Sequence, residues 1–304
     1  DMTQEDLASL YGPLSRRSFR NKKRPVLFRK YNRAIMRVGS WNLDMCSLSK
    51  AENPGVREVI AMSILENGLS VVAVQELLDA EALVKLCEEL NTPVAPNVKK
   101  WSGHRGNWKC AVSSQPVRKL TDATPEHLGF LYDASRGLDI SNIAILDRCR
   151  GWPHALTDKI FLVSFKVGSG EFVLVNLDTD VTCLDLSSSS GDKFSLSHVL
   201  EAVEEFMPGE KDIMIMGSFN AGPDHPAFTP WKEQGYQSAL VADSCTNIST
   251  RHPEGTSTQQ VIWFGPQIHK LLTGEAGVVR QGLTSPWIPD GWSWGGTASS
   301  HCPI

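Results

Sequence analysis

With 304 residues, 41% of them apolar, and a formal charge of −4, the chain is long and apolar enough for one large packed domain or two ordinary ones. No run approaches the roughly 18 apolar residues that cross a bilayer, and the opening stretch is polar and basic rather than signal-like, so an intracellular protein, nuclear or cytoplasmic, is expected. Seven scattered cysteines without a C-x-x-C pair read as reduced thiols rather than a zinc site or a disulfide frame.

Residues 1–33 read as a flexible segment ahead of a domain over 34–304. Arg16, Arg17, Arg20, Lys22, Lys23, Arg24, Arg29, Lys30 and Arg33 place nine of the thirty cations in eighteen residues. The rest of the chain carries 21 cations against 34 acids, which argues against a broadly basic surface on the folded body. Such a segment suits a polyanion contact or a solvated linker equally well. Beyond it, short apolar runs bounded by turn residues predict strands at Ile35–Trp41, Val71–Val74, Phe130–Tyr132, Ile160–Val167, Phe172–Leu177, Ile213–Met216 and Val261–Phe264. Apolar positions recurring every three to four residues predict helices over Val56–Glu66, Glu81–Leu90 and Leu196–Phe206. Gly168-Ser169-Gly170 joins two of the strands as a hairpin, and Ser187–Gly191 reads as a loop. Strands interleaved with helices make an α/β or α+β sandwich.

Polar residues gather where these strands end. Ser40-Trp41-Asn42, Val74-Gln75-Glu76, Asn176-Leu177-Asp178, Gly217-Ser218-Phe219-Asn220, Val261-Ile262-Trp263 and Ser299-Ser300-His301-Cys302-Pro303 follow one another in an order that resembles the motifs of the endonuclease/exonuclease/phosphatase family. The passages 53–59, 73–77, 285–290 and 292–296 are similar in wording to one branch of it. The resemblance implies a four-layered α/β sandwich, with two mixed sheets face to face and helices outside. It also implies phosphodiester or phosphomonoester hydrolysis with a divalent metal. In such chemistry a glutamate holds magnesium, aspartates activate water and orient a histidine, and asparagines fix the phosphate.

By that resemblance Asn42 and Asn220 stand at the orienting amides, Glu76 at the metal carboxylate and His301 at the catalytic imidazole. The family's Asn-x-His, Gly-Asp-Phe-Asn, late-strand aspartate and Ser-Asp-His are met here by Asp178, Ser218, Gln260 and Ser300. A serine hydroxyl is no base near neutral pH, which removes about 10²- to 10⁴-fold of catalysis. A neutral amide at Gln260 can hydrogen-bond an imidazole but cannot stabilise its charged form, and the matching aspartate-to-asparagine change in serine proteases costs about 10⁴. Ser300 removes a carboxylate near the metal, leaving Glu76, Asp44 and Asp178 to hold magnesium weakly. A catalytically inactive or strongly impaired nuclease-fold module that binds DNA or a DNA-processing protein partner is therefore expected. Two other readings stand beside it: an active magnesium-dependent endonuclease or phosphodiesterase with rearranged carboxylates, and a protein-binding scaffold without nucleic-acid contact.

Other features divide between chemistry and architecture. Lys99, Lys100, Arg105 and Lys109, with His104 and interleaved with Trp101 and Trp108, read as a phosphate-facing edge or a solvated connection. Trp287, Trp292 and Trp294 are expected to pack rather than stack on bases. Asp224-His225 reads as a turn. The resemblance further implies one more strand after Ile304 and helix-hairpin-helix modules ahead of the domain in a longer chain.

Overall fold

The computed structural model describes residues 29–30, 33–121, 124–150, 154, 156, 158–184, 195–249, 251–289 and 296–304. Ser187–Gly191, Trp292, Trp294 and most of the basic segment lie outside the described residues. At the end of that segment β1 (Arg29–Lys30) pairs antiparallel with β2 (Arg33–Ala34), which crosses into the domain.

Two mixed sheets form the body. One runs β3 (Val38–Cys46), β4 (Val71–Leu77), β7 (Thr124–Asp133), β5 (Trp108–Val112), with β6 (Arg118–Thr121) also on β7. The other has the order β12 (Gln237–Ser238), β13 (Gln260–Phe264), β11 (Ile213–Ser218), β10 (Gly170–Asp178), β9 (Ile160–Val167), β8 (Leu138–Leu146). Pairs β3–β4 and β10–β11 are parallel, and the remaining ladders antiparallel. Strands β4 and β11 are buried along nearly their whole length, as expected of strands covered on both faces.

The inner faces meet through Val71, Ala73, Phe130 and Tyr132 on one side and Phe161, Phe165, Leu174, Met214 and Met216 on the other. The outer face of the first sheet packs against α1 (Leu48–Glu52), α2 (Pro54–Asn67), α3 (Ala80–Asn91) and α4 (Pro96–Lys99), and that of the second against α5 (Ser197–Phe206) and α6 (Thr229–Glu233). The four-layered α/β sandwich is thus the observed fold. Helix α2 shows why its ends lie where they do. Asn53 caps it by accepting from Gly55 N and Val56 N, Pro54 opens it, and Gly68 closes it in the left-handed conformation.

The two sheets are also joined by polar groups. Asn176 on β10 donates to the carbonyls of Val74 and Gly129 on the opposite sheet and accepts from Gln75 Nε2 at 2.7 Å. This network is fully buried, where an unmatched amide costs about 1–3 kcal/mol. It fixes how the strand ends of one sheet face those of the other. Gly217 is required beside it, because a Cβ there would lie 1.7 Å from Leu177 O.

Candidate functional site

Register places three of the four departing positions side by side. Asp178 at the end of β10 pairs with Ser218 at the end of β11, and Ser218 pairs with Gln260 at the start of β13. Across the gap between sheets, Asn42 on β3 reaches this row. Its backbone N donates to Gln260 Oε1 at 3.2 Å, and its Nδ2 donates to Glu76 Oε1 at 2.8 Å, with Asp178 Oδ2 at 3.5 Å. Asn42, Glu76, Asp178, Ser218 and Gln260 therefore form one cluster at the strand ends.

Strand β3 is irregular where it enters the cluster. Its ladder with β4 shifts register between Asn42 and Cys46, and Asp44 and Met45 are both left-handed, with φ of 54° and 50°. The bulge turns Met45 N onto Glu76 Oε2 at 3.0 Å, while Asn42 Oδ1 accepts from Asp44 N. Glu76 is left-handed too, at φ 55°. Consecutive non-glycine residues in this region carry local strain of a kind often found at functional sites.

The C-terminal stretch closes the same end. Ser299 Oγ donates to Asn42 O, Ser300 N to Asp44 Oδ2, and Trp41 Nε1 to His301 O. Ile304 exchanges two backbone hydrogen bonds with Ser40 along the free side of β3. His301 is 8% exposed, and its Nδ1 has no hydrogen-bond partner among the described residues. Burial lowers its pKa, against the opposing pull of Glu76 and Asp44 and with a smaller push from Lys50. The amide of Gln260, expected beside the imidazole, is instead taken up by the backbone: Oε1 by Asn42 N and Nε2 by Cys302 O at 3.5 Å. The reason is reach, since Gln260 opens β13 with its side chain between Asn42 of β3 and Cys302 of the closing segment, and both ends of the amide meet backbone groups there.

Asn220 lies at the exposed rim in the left-handed conformation. Its side chain hydrogen-bonds Asp180; burial alone would raise the Asp180 pKa, but bonds from Thr182, Asn220 and Cys183 outweigh it and lower the value. Among the described residues no direct hydrogen bond joins Asn220 to Asn42.

Resident magnesium does not fit this donor set. Both oxygens of Glu76 already accept hydrogen bonds, one oxygen of Asp44 does, and no three His, Cys, Asp or Glu side chains converge as a metal-holding group among the described residues. Magnesium needs near-octahedral oxygen ligation.

Of the basic edge, Lys99, Lys100 and Lys109 are exposed. Arg105 is not free to meet a phosphate: its Nη2 donates to Val98 O at 2.7 Å and approaches the carbonyls of Lys99 and Trp101. Trp108 is buried and donates to Arg105 O, and Trp287 is buried as well, so both pack. His225 caps a 3-10 turn at Pro226–Phe228 and Asp224 faces Lys232, in keeping with a turn. All seven cysteines are free thiols, and no described helix is long and apolar enough to cross a membrane.

The sequence motifs did not point to Lys50. This lysine on α1 is 5% exposed and donates from Nζ to Leu43 O at 2.9 Å and Asp44 O at 2.6 Å, which fastens the β3 bulge. Burial lowers its pKa, and Asp44, Cys46 and Glu76 oppose that shift.

Comparison with known proteins agrees with this architecture. Residues 39–303 match the model of the Endonuclease/Exonuclease/phosphatase family. The chain is 42% identical over 278 residues to endonuclease/exonuclease/phosphatase family domain-containing protein 1 of Mus musculus, covering 90% of this chain and 49% of that protein. It thus spans about half the length of the curated relatives it matches. Among solved structures, an endonuclease/exonuclease/phosphatase family protein from Bacteroides thetaiotaomicron superposes with a TM-score of 0.57 at 15% identity, covering 88% of this chain and 95% of that one. A mannosyl-6-phosphatase from the same organism gives 0.55 at 16% identity, covering 88% and 97%. At these identities the two structures speak for the fold, while the family match over nearly the whole described body and the 42% identical relative speak for descent: the chain belongs to the endonuclease/exonuclease/phosphatase family.

Proposed function

We propose that this chain is a member of its family whose phosphoester hydrolysis is lost or strongly impaired, and that it works by binding DNA or a protein partner in DNA processing. One observation carries the reading. The row Asp178–Ser218–Gln260 offers no carboxylate at the two positions where water activation and histidine orientation are expected. His301 is left buried, with no hydrogen-bond partner for its Nδ1 among the described residues. A hydroxyl and an amide supply neither a base nor a counter-charge, and each loss weighs about 10²- to 10⁴-fold; acting on one machine, they do not multiply. Exposed Lys99, Lys100 and Lys109 support a polyanion-facing role for the same body.

The test is a cleavage assay with magnesium and with manganese on single-stranded, double-stranded and branched DNA, comparing the wild type with Glu76→Ala and with the double variant Ser218→Asp/Gln260→Asp. Wild type and Glu76→Ala are expected to give the same near-background rate, and the double variant to stay near it as well, because restoring the base and the orienting carboxylate does not restore the carboxylate lost at Ser300. Wild-type turnover that vanishes in Glu76→Ala defeats the reading. It would favour the second one, an active enzyme with rearranged carboxylates, which draws support from Asn42 Nδ2 standing between Glu76 and Asp178.

A further inference from the structure

A single peptide unit stands between a buried cation and the glutamate that a metal would need. Helix α1 is set by Ser47 Oγ, which accepts from Lys50 N at 3.1 Å, and by Asp79 Oδ2, which accepts from Leu48 N. So anchored, α1 projects Lys50 into the β3 bulge, where its Nζ donates to Asp44 O at 2.6 Å. The N–H of that same Asp44–Met45 peptide donates to Glu76 Oε2 at 3.0 Å. The ammonium thus sits on the oxygen of the peptide and the carboxylate on its hydrogen, so the two charges polarise it in the same sense and strengthen both bonds. The other Glu76 oxygen is filled by Asn42 Nδ2.

We infer that Lys50 is the resident cation of this site, a positioning residue that neutralises Glu76 through the Asp44–Met45 peptide in place of a divalent metal. A lysine that merely capped two bulge carbonyls would leave Glu76 an accessible oxygen for a cation. Here the bulge it fastens turns Met45 N onto that oxygen, so a metal there would have to share it with a polarised N–H whose positive hydrogen already faces the carboxylate. Buried lysines are uncommon unless their charge is matched, and this one faces the acidic end of the sandwich, near Asp44 and Glu76. Removing the ammonium leaves the carboxylates without a counter-charge and frees the bulge to open toward a cation.

The inference rests on the functional reading above, since both treat the retained carboxylates as parts of a site that no longer hydrolyses. The experiment is thermal unfolding of the whole chain in EDTA, magnesium chloride and manganese chloride, at ionic strength matched with potassium chloride. Wild type is expected to show the same Tm throughout. Lys50→Met is expected to unfold about 5 °C or more lower in EDTA and to regain about 3 °C or more with either metal, and the regain should disappear in Lys50→Met/Glu76→Gln. A wild-type Tm that climbs with metal, and stops doing so in Glu76→Gln, overturns the inference; so does a Lys50→Met chain indifferent to metal. If Lys50→Met does not accumulate, wild type and Glu76→Gln decide. No metal shift in the wild type with a clear loss of Tm in Glu76→Gln supports the internal pair, and either a wild-type shift or a Glu76→Gln chain as stable as wild type overturns it. Metal binding by the wild type without turnover would remove this inference alone, and turnover in EDTA would remove the functional reading alone.

Discussion

His301 carries its imidazole into a nearly closed environment, with Nδ1 unpartnered among the described residues and burial holding its pKa below the ordinary 6.5. A base whose folded pKa is depressed loses stability as pH falls, because the unfolded chain accepts the proton first. The window therefore opens below about pH 6.5, the unfolded value. Urea unfolding at pH 7.5 and 5.5 should show the wild type weaker at the lower pH, and His301→Gln should narrow that gap. An equal gap in both proteins would mean that His301 is not the group responsible. At this scale the chemical type of Asp178, Ser218 and Gln260 is readable in the motifs, and the structure sets these three in register where β10 and β11 end and β13 begins. Partners are not readable. Arg105 belongs to a basic run, yet the carbonyls of its own loop claim it. Lys50 sits in an unremarkable Ser-Leu-Ser-Lys stretch, and only the fold brings the bulge carbonyls to its ammonium.

Elements with strong apolar runs were legible almost to their ends. Ile160–Val167 is a strand as expected, and the runs at 172–177, 213–216 and 261–264 each lie inside an observed strand longer by one to three residues. What escaped the pattern has physical reasons. Strand β8 forms the edge of its sheet and exposes about half its length; its first half mixes polar with apolar residues, and the run Ile143–Leu146 covers only its last four positions. Strand β5 carries Lys109 between Trp108 and Cys110, and α1, at five residues, is too short to show a period. Strand β7 begins at Thr124, six residues before the predicted Phe130, because its polar first half is held by β6. One contact between elements decides whether the departing row exists at all. A methyl on Gly217 would meet Leu177 O at 1.7 Å, so β10 and β11 could not stay in register where Asp178 faces Ser218. Gly217→Ala should cost about 3 kcal/mol or more by urea unfolding, in the range of severe overpacking. A loss under about 1 kcal/mol would show that the strands separate freely there.

For the whole molecule, the question is where a polyanion would land on a body that carries 21 cations against 34 acids outside residues 16–33. Such a balance repels DNA on average, so binding must come from a local arrangement or from the basic segment. Lys99, Lys100 and Lys109 are the exposed cations of the folded edge, while the segment brings nine of its own. Counterion release separates the two, because each phosphate neutralised on duplex DNA adds about 0.9 to the slope of log K against log salt. If the edge is the contact, a Lys99→Ala/Lys100→Ala/Lys109→Ala chain measured by fluorescence anisotropy across a salt series should lose up to about 2.7 from that slope and bind more weakly at every salt. A triple variant with an unaltered slope would move the contact to the basic segment, and deleting residues 1–33 should then flatten it. Binding that ignores salt in all three chains would leave no phosphate contact to explain, and would turn the function toward a protein partner.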